Sequence, residues 1–143
     1  EIVPQSIAEP NSFVGLMTLY ESNYIKLNHL FPKIRQYDAD RLIKSPFGND
    51  IHLGINKKTK YTMIISMTYS FEESEIIEYE PNLTIKIYFD SRSAEVIGIG
   101  KLSKKSKLRD ITYQNKKIIN QLWRRNIILN KWLDYIIDCD YSI

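Results

Sequence analysis

Residues 61–71 alternate between apolar and polar side chains, and no other feature of the sequence restricts the fold as strongly. The odd-numbered positions are apolar or aromatic: Tyr61, Met63, Ile65, Met67, Tyr69 and Phe71. Successive side chains of an extended strand point to opposite faces, so this pattern predicts a long strand with one apolar face. The other face contains mainly Thr and Ser, which is typical of an antiparallel sheet with one face open to water.

Two hairpins are predicted around this strand. Residues 51–55 alternate in the same way and are separated from it by the polar turn 56–60. Residues 83–89 and 94–99 form a second alternating pair around the turn at 90–93, and Gly98 and Gly100 indicate a bulge or a strand end. A short edge strand is predicted at 41–45.

Helices are predicted at both ends of the chain. The first begins at Pro10-Asn11-Ser12, with Asn11 or Ser12 as N-cap, and ends before Pro32. Its apolar face consists of Phe13, Leu16, Met17, Tyr20, Tyr24, Leu27 and Phe31. The second runs from about residue 114 to 137, and its apolar face consists of Ile118, Leu122, Leu129, Trp132, Leu133 and Ile136.

This order of elements predicts an α+β fold. We expect a four- to five-stranded antiparallel meander with the N-terminal and C-terminal helices packed on one face. The length of 143 residues predicts a single domain over residues 1–143, with a loose N-terminal arm at 1–9.

Composition narrows the class of protein further. With 26% charged and 43% hydrophobic residues, the chain is typical of a globular protein, and no apolar run is long enough to predict a membrane span. The lone cysteine, Cys139, favours a reducing compartment, and no signal peptide is predicted. We therefore expect a cytoplasmic protein.

Charge is distributed unevenly along the chain. Residues 101–131 contain ten basic side chains and one acid, Asp110, whereas the net charge of the whole chain is only +3. Acids are concentrated in residues 72–80. This polarity favours an anionic partner or self-association, although solvated loops and helix faces would give the same pattern.

Catalytic and metal-binding motifs are few. His29 and His52 lie in no zinc-binding pattern and phosphate-binding glycine motifs are missing, so no metal or cofactor is predicted. Asp90 and Glu95 flank one turn and could act as an acid–base pair, but the favoured explanation is a turn-capping aspartate and a strand-surface glutamate.

Several stretches resemble the YqiB-like family of proteobacterial proteins, a domain of unknown function. The resemblance covers residues 16–133 and rests on Leu19-Tyr20-Glu21-Ser22-Asn23-Tyr24 with Pro32, on Thr59-Lys60-Tyr61-Thr62, on the hairpin with Asp90 and Ala94-Glu95-Val96, on Tyr113-Gln114-Asn115-Lys116-Lys117, and on Asn126 with Trp132-Leu133. It implies a small cytoplasmic bacterial protein and supplies no catalytic residue.

The resemblance singles out polar positions that have structural explanations as well as functional ones. These positions are Glu21, Asn23, Tyr61, Asp90, Glu95, Asn115, Lys116 and Lys117. A buried Asn23 would need hydrogen-bond partners and could tie the first helix to a strand end. Asp90 could cap its turn, and Asn115 could cap the second helix.

The sharpest functional hypothesis concerns the basic side chains of the second helix. Lys116 and Lys117 fall in its first turn, where the helix dipole disfavours cations unless an anion is bound. Lys117, Arg124 and Lys131 share one helix face because they are seven residues apart. Arg125 projects beside the apolar face, from which its head group would reach solvent or meet an acid.

The leading prediction is a non-catalytic binding or regulatory module for an anionic partner, held by Asn115, Lys116, Lys117, Arg124 and Lys131. The partner would be an acidic protein, a phosphorylated small molecule or nucleic acid. One alternative is a small enzyme that uses Glu21, Asp90 or Glu95 with Asn23 and Tyr61 around a pocket. Another is a homo-oligomeric assembly protein.

Overall fold

The structure, a computed structural model, describes residues 12–44, 46, 50–70, 82–99 and 115–139, with the backbone alone at 70 and 115–117. Its elements are α1 (Phe13–Leu30), a single 3-10 turn (Ile34–Gln36), β1 (Arg41–Ile43), β2 (Asp50–Lys58), β3 (Thr62–Ser70), β4 (Asn82–Tyr88), β5 (Ser93–Ile99) and α2 (Asn115–Asp138). The predicted arm at 1–9 and the basic loop at 101–109 lie outside the described residues.

The five strands form one antiparallel sheet in the order β1-β2-β3-β4-β5. Both predicted hairpins are confirmed, with Ile55 paired to Ile65 in one and Ile85 paired to Val96 in the other. The register shifts once in each hairpin, and the second shift lies next to Gly98, as the glycine indicated. The meander therefore follows the alternation in the sequence closely.

Helix α1 begins and ends where the sequence predicts. The Ser12 hydroxyl accepts a hydrogen bond from the Gly15 amide at 3.0 Å, and the helix gives way at Phe31, just before Pro32. Phe13 and Met17, which the sequence assigns to its apolar face, are 62% and 38% exposed, whereas Leu16 and Leu19 in the same turns are buried. The buried surface of α1 instead extends sideways toward α2.

One hydrophobic core forms between the helices and the sheet. The odd-numbered face of β3 (Met63, Ile65 and Met67) packs in the same cluster as Leu27 of α1 and Leu133 of α2. Both helices therefore lie on one face of the sheet, and the predicted α+β architecture is confirmed. The indole N–H of Trp132 in α2 also donates a hydrogen bond to the Tyr69 hydroxyl at 3.1 Å.

The helices also cover the edge of the sheet at β5. This strand pairs with β4 on one side, and no strand of the described residues pairs with its other side. The Val96 N–H donates to Asn126 Oδ1 at 2.9 Å, and the Val96 carbonyl accepts from Arg125 Nη2 at 3.3 Å. The Ala94 carbonyl accepts from Asn23 Nδ2 at 3.5 Å. Side chains of both helices thus replace the missing strand and protect the edge.

A network of polar side chains joins the two helices behind this edge. Asn23 donates to Asn126 Oδ1 at 3.2 Å and accepts from Asn130 Nδ2 at 2.9 Å. The Lys26 ammonium donates to Asn130 Oδ1 at 2.8 Å and lies 2.7 Å from an Asp134 carboxylate oxygen. Because the contacts advance in the same direction along both helices, α1 and α2 run parallel. We call Asn23, Asn126 and Asn130 the asparagine clamp.

Candidate functional site

Two of the predicted anion-binding side chains, those of Arg124 and Lys131, lie on the outward side of α2. Arg124 and Lys131 are exposed, and neither forms an ion pair with any described residue. Seven residues of helix place them about 10 Å apart along the axis. Asn115, Lys116 and Lys117 belong to the first turn of α2, but their side chains lie outside the described part of the chain.

A shallow groove accompanies Arg124. It encloses about 360 Å³ and is lined by Asn120, Trp123, Arg124 and Ile127. These positions are three, four and seven residues apart, so they form one stripe along α2. The groove offers an amide, an indole and a cation on the same surface, which is a combination that binds an anionic group beside an apolar one.

Arg125, next in sequence, is buried rather than exposed. Its Nη2 donates to the Val96 carbonyl, whereas Nε has no hydrogen-bond partner among the described residues. Burial lowers the pKa of Arg125, and the nearby Tyr20 and Glu95 oppose that effect. Of the two alternatives for its head group, the one in which it reaches solvent is wrong, because the side chain is buried. The head group bonds a backbone carbonyl and forms no ion pair with an acid among the described residues, although Glu95 is near enough to influence its pKa.

Glu95 occupies a half-buried position opposite Lys86 on the neighbouring strand. Burial raises the pKa of Glu95, although Arg125, Lys86 and a hydrogen bond from the Tyr88 hydroxyl each lower it. Burial, together with the Glu95 carboxylate, also raises the pKa of Tyr20 to about 12. The cluster thus places the Glu95 carboxyl group near two cations, Lys86 and Arg125, and near the phenols of Tyr20 and Tyr88.

The raised pKa of Glu95 predicts how stability responds to acid. The folded protein binds the Glu95 proton more tightly than the unfolded chain does, so lowering the pH from 7 toward 4.5 stabilises the fold through this group. We expect the wild type to gain free energy of unfolding relative to Glu95→Gln over this interval, measured by urea denaturation. Glu21→Gln, at an exposed glutamate of α1, is the matched control, and a relative loss by the wild type would contradict the prediction.

The remaining predicted positions are not gathered around one pocket. Glu21 is exposed on α1, Asn23 is buried in the asparagine clamp, and Tyr61 is 48% exposed in the β2–β3 turn. Asp90 accepts a hydrogen bond from the Ser91 N–H at 2.9 Å, which confirms its turn-capping role. Neither the groove on α2 nor a second pocket, at Pro32 and Arg41, is lined by any of these carboxylates.

Asn23 ties α1 to a strand end as predicted, but the sequence did not indicate the rest of the clamp. Asn126 and Asn130 are four residues apart beside the apolar stripe of α2, and both are buried. Lys26 is also buried, at a position that a periodicity argument assigns to solvent. Polar residues that repeat at helical spacing next to an apolar stripe are the sequence pattern that predicts such a network.

Two further findings hold for the described ranges alone. Within them, no three His, Cys, Asp or Glu side chains are grouped so that they could hold a metal ion. Neither of the helices described has the length and apolar character needed to cross a membrane.

Fold and site define an α+β protein whose second helix presents an exposed cationic face. A family model described as "Protein of unknown function (DUF1249)" matches residues 26–142, which is most of the chain. The protein belongs to this family. No curated protein and no solved structure matches it.

Proposed function

We propose that this protein is a non-catalytic binding or regulatory module whose anionic partner docks on the outward face of α2. The observation that supports this most strongly is the pair Arg124 and Lys131, both exposed and without an ion-pair partner among the described residues. Cations that are not neutralised internally keep their full potential for a charged partner.

The other side of α2 is already occupied, which supports the same conclusion. Leu129 and Leu133 are fully buried against the sheet, and Asn126 and Asn130 are committed to the clamp. The helix therefore cannot rotate to hide its cations. On this proposal Asn115, Lys116 and Lys117 extend the same surface toward the helix N-terminus.

Among anionic partners, an acidic polypeptide fits best. The cations of α2 have exposed apolar neighbours, with Ile128 39% and Tyr135 53% exposed, and a protein partner buries such side chains on binding. From Lys116 to Lys131 the helix extends over about 22 Å, a span suited to an extended segment. A phosphorylated small molecule or nucleic acid on this face is another outcome of the test, and so is a second copy of this chain in a homo-oligomer.

The double variant Arg124→Glu with Lys131→Glu tests the site. We expect it to weaken the binding of poly-L-glutamate by about tenfold or more, since opposing charges become repulsive, while thermal unfolding stays unchanged. The control variant combines Asn28→Glu, Lys44→Glu and Pro46→Glu, which changes the net charge equally at exposed positions outside both proposed surfaces and should retain binding. Equal losses in the two variants would mean that the protein responds to net charge alone.

Lys116→Glu with Lys117→Glu examines the extension of the site. If the proposal holds, this variant loses poly-L-glutamate binding and keeps its thermal stability. Loss of folding would instead make these lysines structural. An absorbance ratio and a native mass spectrum of the purified protein identify whether a polypeptide, a nucleic acid or a metabolite accompanies it.

The resemblance to YqiB-like proteins supports a finer placement as a cytoplasmic, proteobacterial member of the family. The enzyme alternative retains one supporting observation, the raised pKa of the half-buried Glu95. Acid–base chemistry at Glu95 would need a second carboxylate. The two candidates, Glu21 on α1 and Asp90 in the β4–β5 turn, are both exposed and do not join Glu95 in a pocket among the described residues.

A further inference from the structure

We propose that the end of the sheet formed by the β2–β3 and β4–β5 turns binds single-stranded nucleic acid, at a site distinct from the cationic face of α2. We call this surface the hairpin end. It also includes the connection from α1 to β1. Its exposed cations are Lys33, Arg35, Arg41, Lys57, Lys58, Lys60 and Arg92.

Contacts between the three segments make the hairpin end continuous. Arg35 Nη2, from the α1–β1 connection, donates to the Lys60 carbonyl in the β2–β3 turn at 2.9 Å. The Phe89 N–H, at the β4–β5 turn, donates to the Tyr61 carbonyl at 2.9 Å. Lys58 Nζ donates to the Tyr37 carbonyl at 3.2 Å. Cations that are distant in sequence thus share one surface.

Most of these cations remain available to a ligand. Three carboxylates lie among them, and each already has a partner. A carboxylate oxygen of Asp38 is 3.7 Å from Lys58 Nζ, one of Asp40 is 3.4 Å from His52 Nε2, and Asp90 caps its own turn. The other six cations form no ion pair with any described residue; they are Lys33, Arg35, Arg41, Lys57, Lys60 and Arg92. A surplus of positive charge therefore faces solvent here.

Planar groups accompany the charge, and they favour nucleic acid over an acidic polypeptide. The Arg35 guanidinium lies 4.7 Å from the ring centre of Phe89, and that of Arg41 lies 4.1 Å from the ring centre of Tyr37. Both arginines are exposed, so the outer face of each guanidinium is open to a base. The exposed Tyr61 ring, with Lys60 Nζ at 5.2 Å, adds an aromatic platform.

A pocket of about 380 Å³ lies at one side of the hairpin end. Its lining includes Lys33, Gln36, Tyr37 and Arg41, and its volume is within the range of small-ligand sites. The lining suits one nucleotide chemically. The Arg41 guanidinium can stack on the base, the Gln36 amide can form hydrogen bonds with a base edge, and the Lys33 ammonium can bind a phosphate.

Fluorescently labelled oligo-dT and oligo-rU of about 12 nucleotides test the proposal by fluorescence anisotropy. Both should bind, more tightly than poly-L-glutamate of equal charge, and the tighter of the two identifies DNA or RNA as the source. Removing the ring in Tyr61→Ala should weaken binding at least about fivefold, and Tyr61→Phe should stay within about twofold of the wild type. Unchanged affinity in Tyr61→Ala, or poly-L-glutamate bound equally well, would overturn the proposal.

Charge reversal separates this site from the one on α2. Lys57→Glu with Lys60→Glu should reduce oligonucleotide affinity about tenfold or more and flatten its dependence on salt. Arg124→Glu with Lys131→Glu should leave oligonucleotide binding intact even though it removes poly-L-glutamate binding. If the two pairs weaken oligonucleotide binding equally, the hairpin end is not the site. Should the Lys57 and Lys60 variant fail to fold, the Tyr61 pair decides.

Discussion

Asn126→Ala is expected to lower the free energy of unfolding by about 2–4 kcal/mol, measured by urea denaturation. The Asn126 side chain is fully buried, and its Oδ1 accepts hydrogen bonds from the Val96 N–H and from Asn23. Truncation leaves the Val96 N–H without an acceptor in a dry environment, which costs about 1–3 kcal/mol before the lost bonds to Asn23 and to the Leu122 carbonyl are counted.

Asn28→Ala is the matched control for this variant. Asn28 is exposed on α1, so the same substitution there should change stability by no more than about 0.5 kcal/mol. If Asn126→Ala proved as mild as Asn28→Ala, the clamp would not be what holds the helices at the β5 edge.

The second large effect is expected at Trp132, where Trp132→Ala should cost about 3–5 kcal/mol. The indole is 6% exposed, packs in the core and lies 5.3 Å from the Tyr69 ring, centre to centre. Trp132→Phe keeps most of that packing and loses the hydrogen bond to the Tyr69 hydroxyl, so it should cost only about 1–2 kcal/mol.

Ile128→Ala serves as the control on the same helix. Ile128 is 39% exposed, and its truncation should cost less than about 1 kcal/mol. Similar losses at Ile128 and Trp132 would mean that α2 does not pack on β3 through its Trp132 face.

The sheet was predictable because strand periodicity is local. The alternation at Met63, Ile65 and Met67 assigned the buried face without knowledge of any other segment. The first turns of α1 were assigned less well. Phe13 and Met17 continue the apolar stripe in sequence, but α1 buries its flank against α2, where Asn23 and Lys26 replace apolar side chains. A pattern of apolar residues does not register a polar interface between helices.

The two candidate sites also differ in how far the sequence alone could predict them. The cations of α2 lie in one segment, so a charge count along the chain found Arg124 and Lys131. The hairpin end draws Arg35, Lys60 and Arg92 from three segments that only the meander brings together. A sequence window records each of them as an isolated charge, and the stacking of Arg35 on Phe89 appears only in the fold.

The asparagine clamp holds the helix pair at the β5 edge, and in this arrangement α2 keeps its cations outward. Hydrogen exchange at the Val96 amide measures this directly, since an unpaired edge amide exchanges fast and a buried bonded one exchanges slowly. We predict strong protection of Val96 in the wild type and its loss in Asn126→Ala. Fast exchange of Val96 in the wild type would mean that the clamp does not hold the helices at this edge.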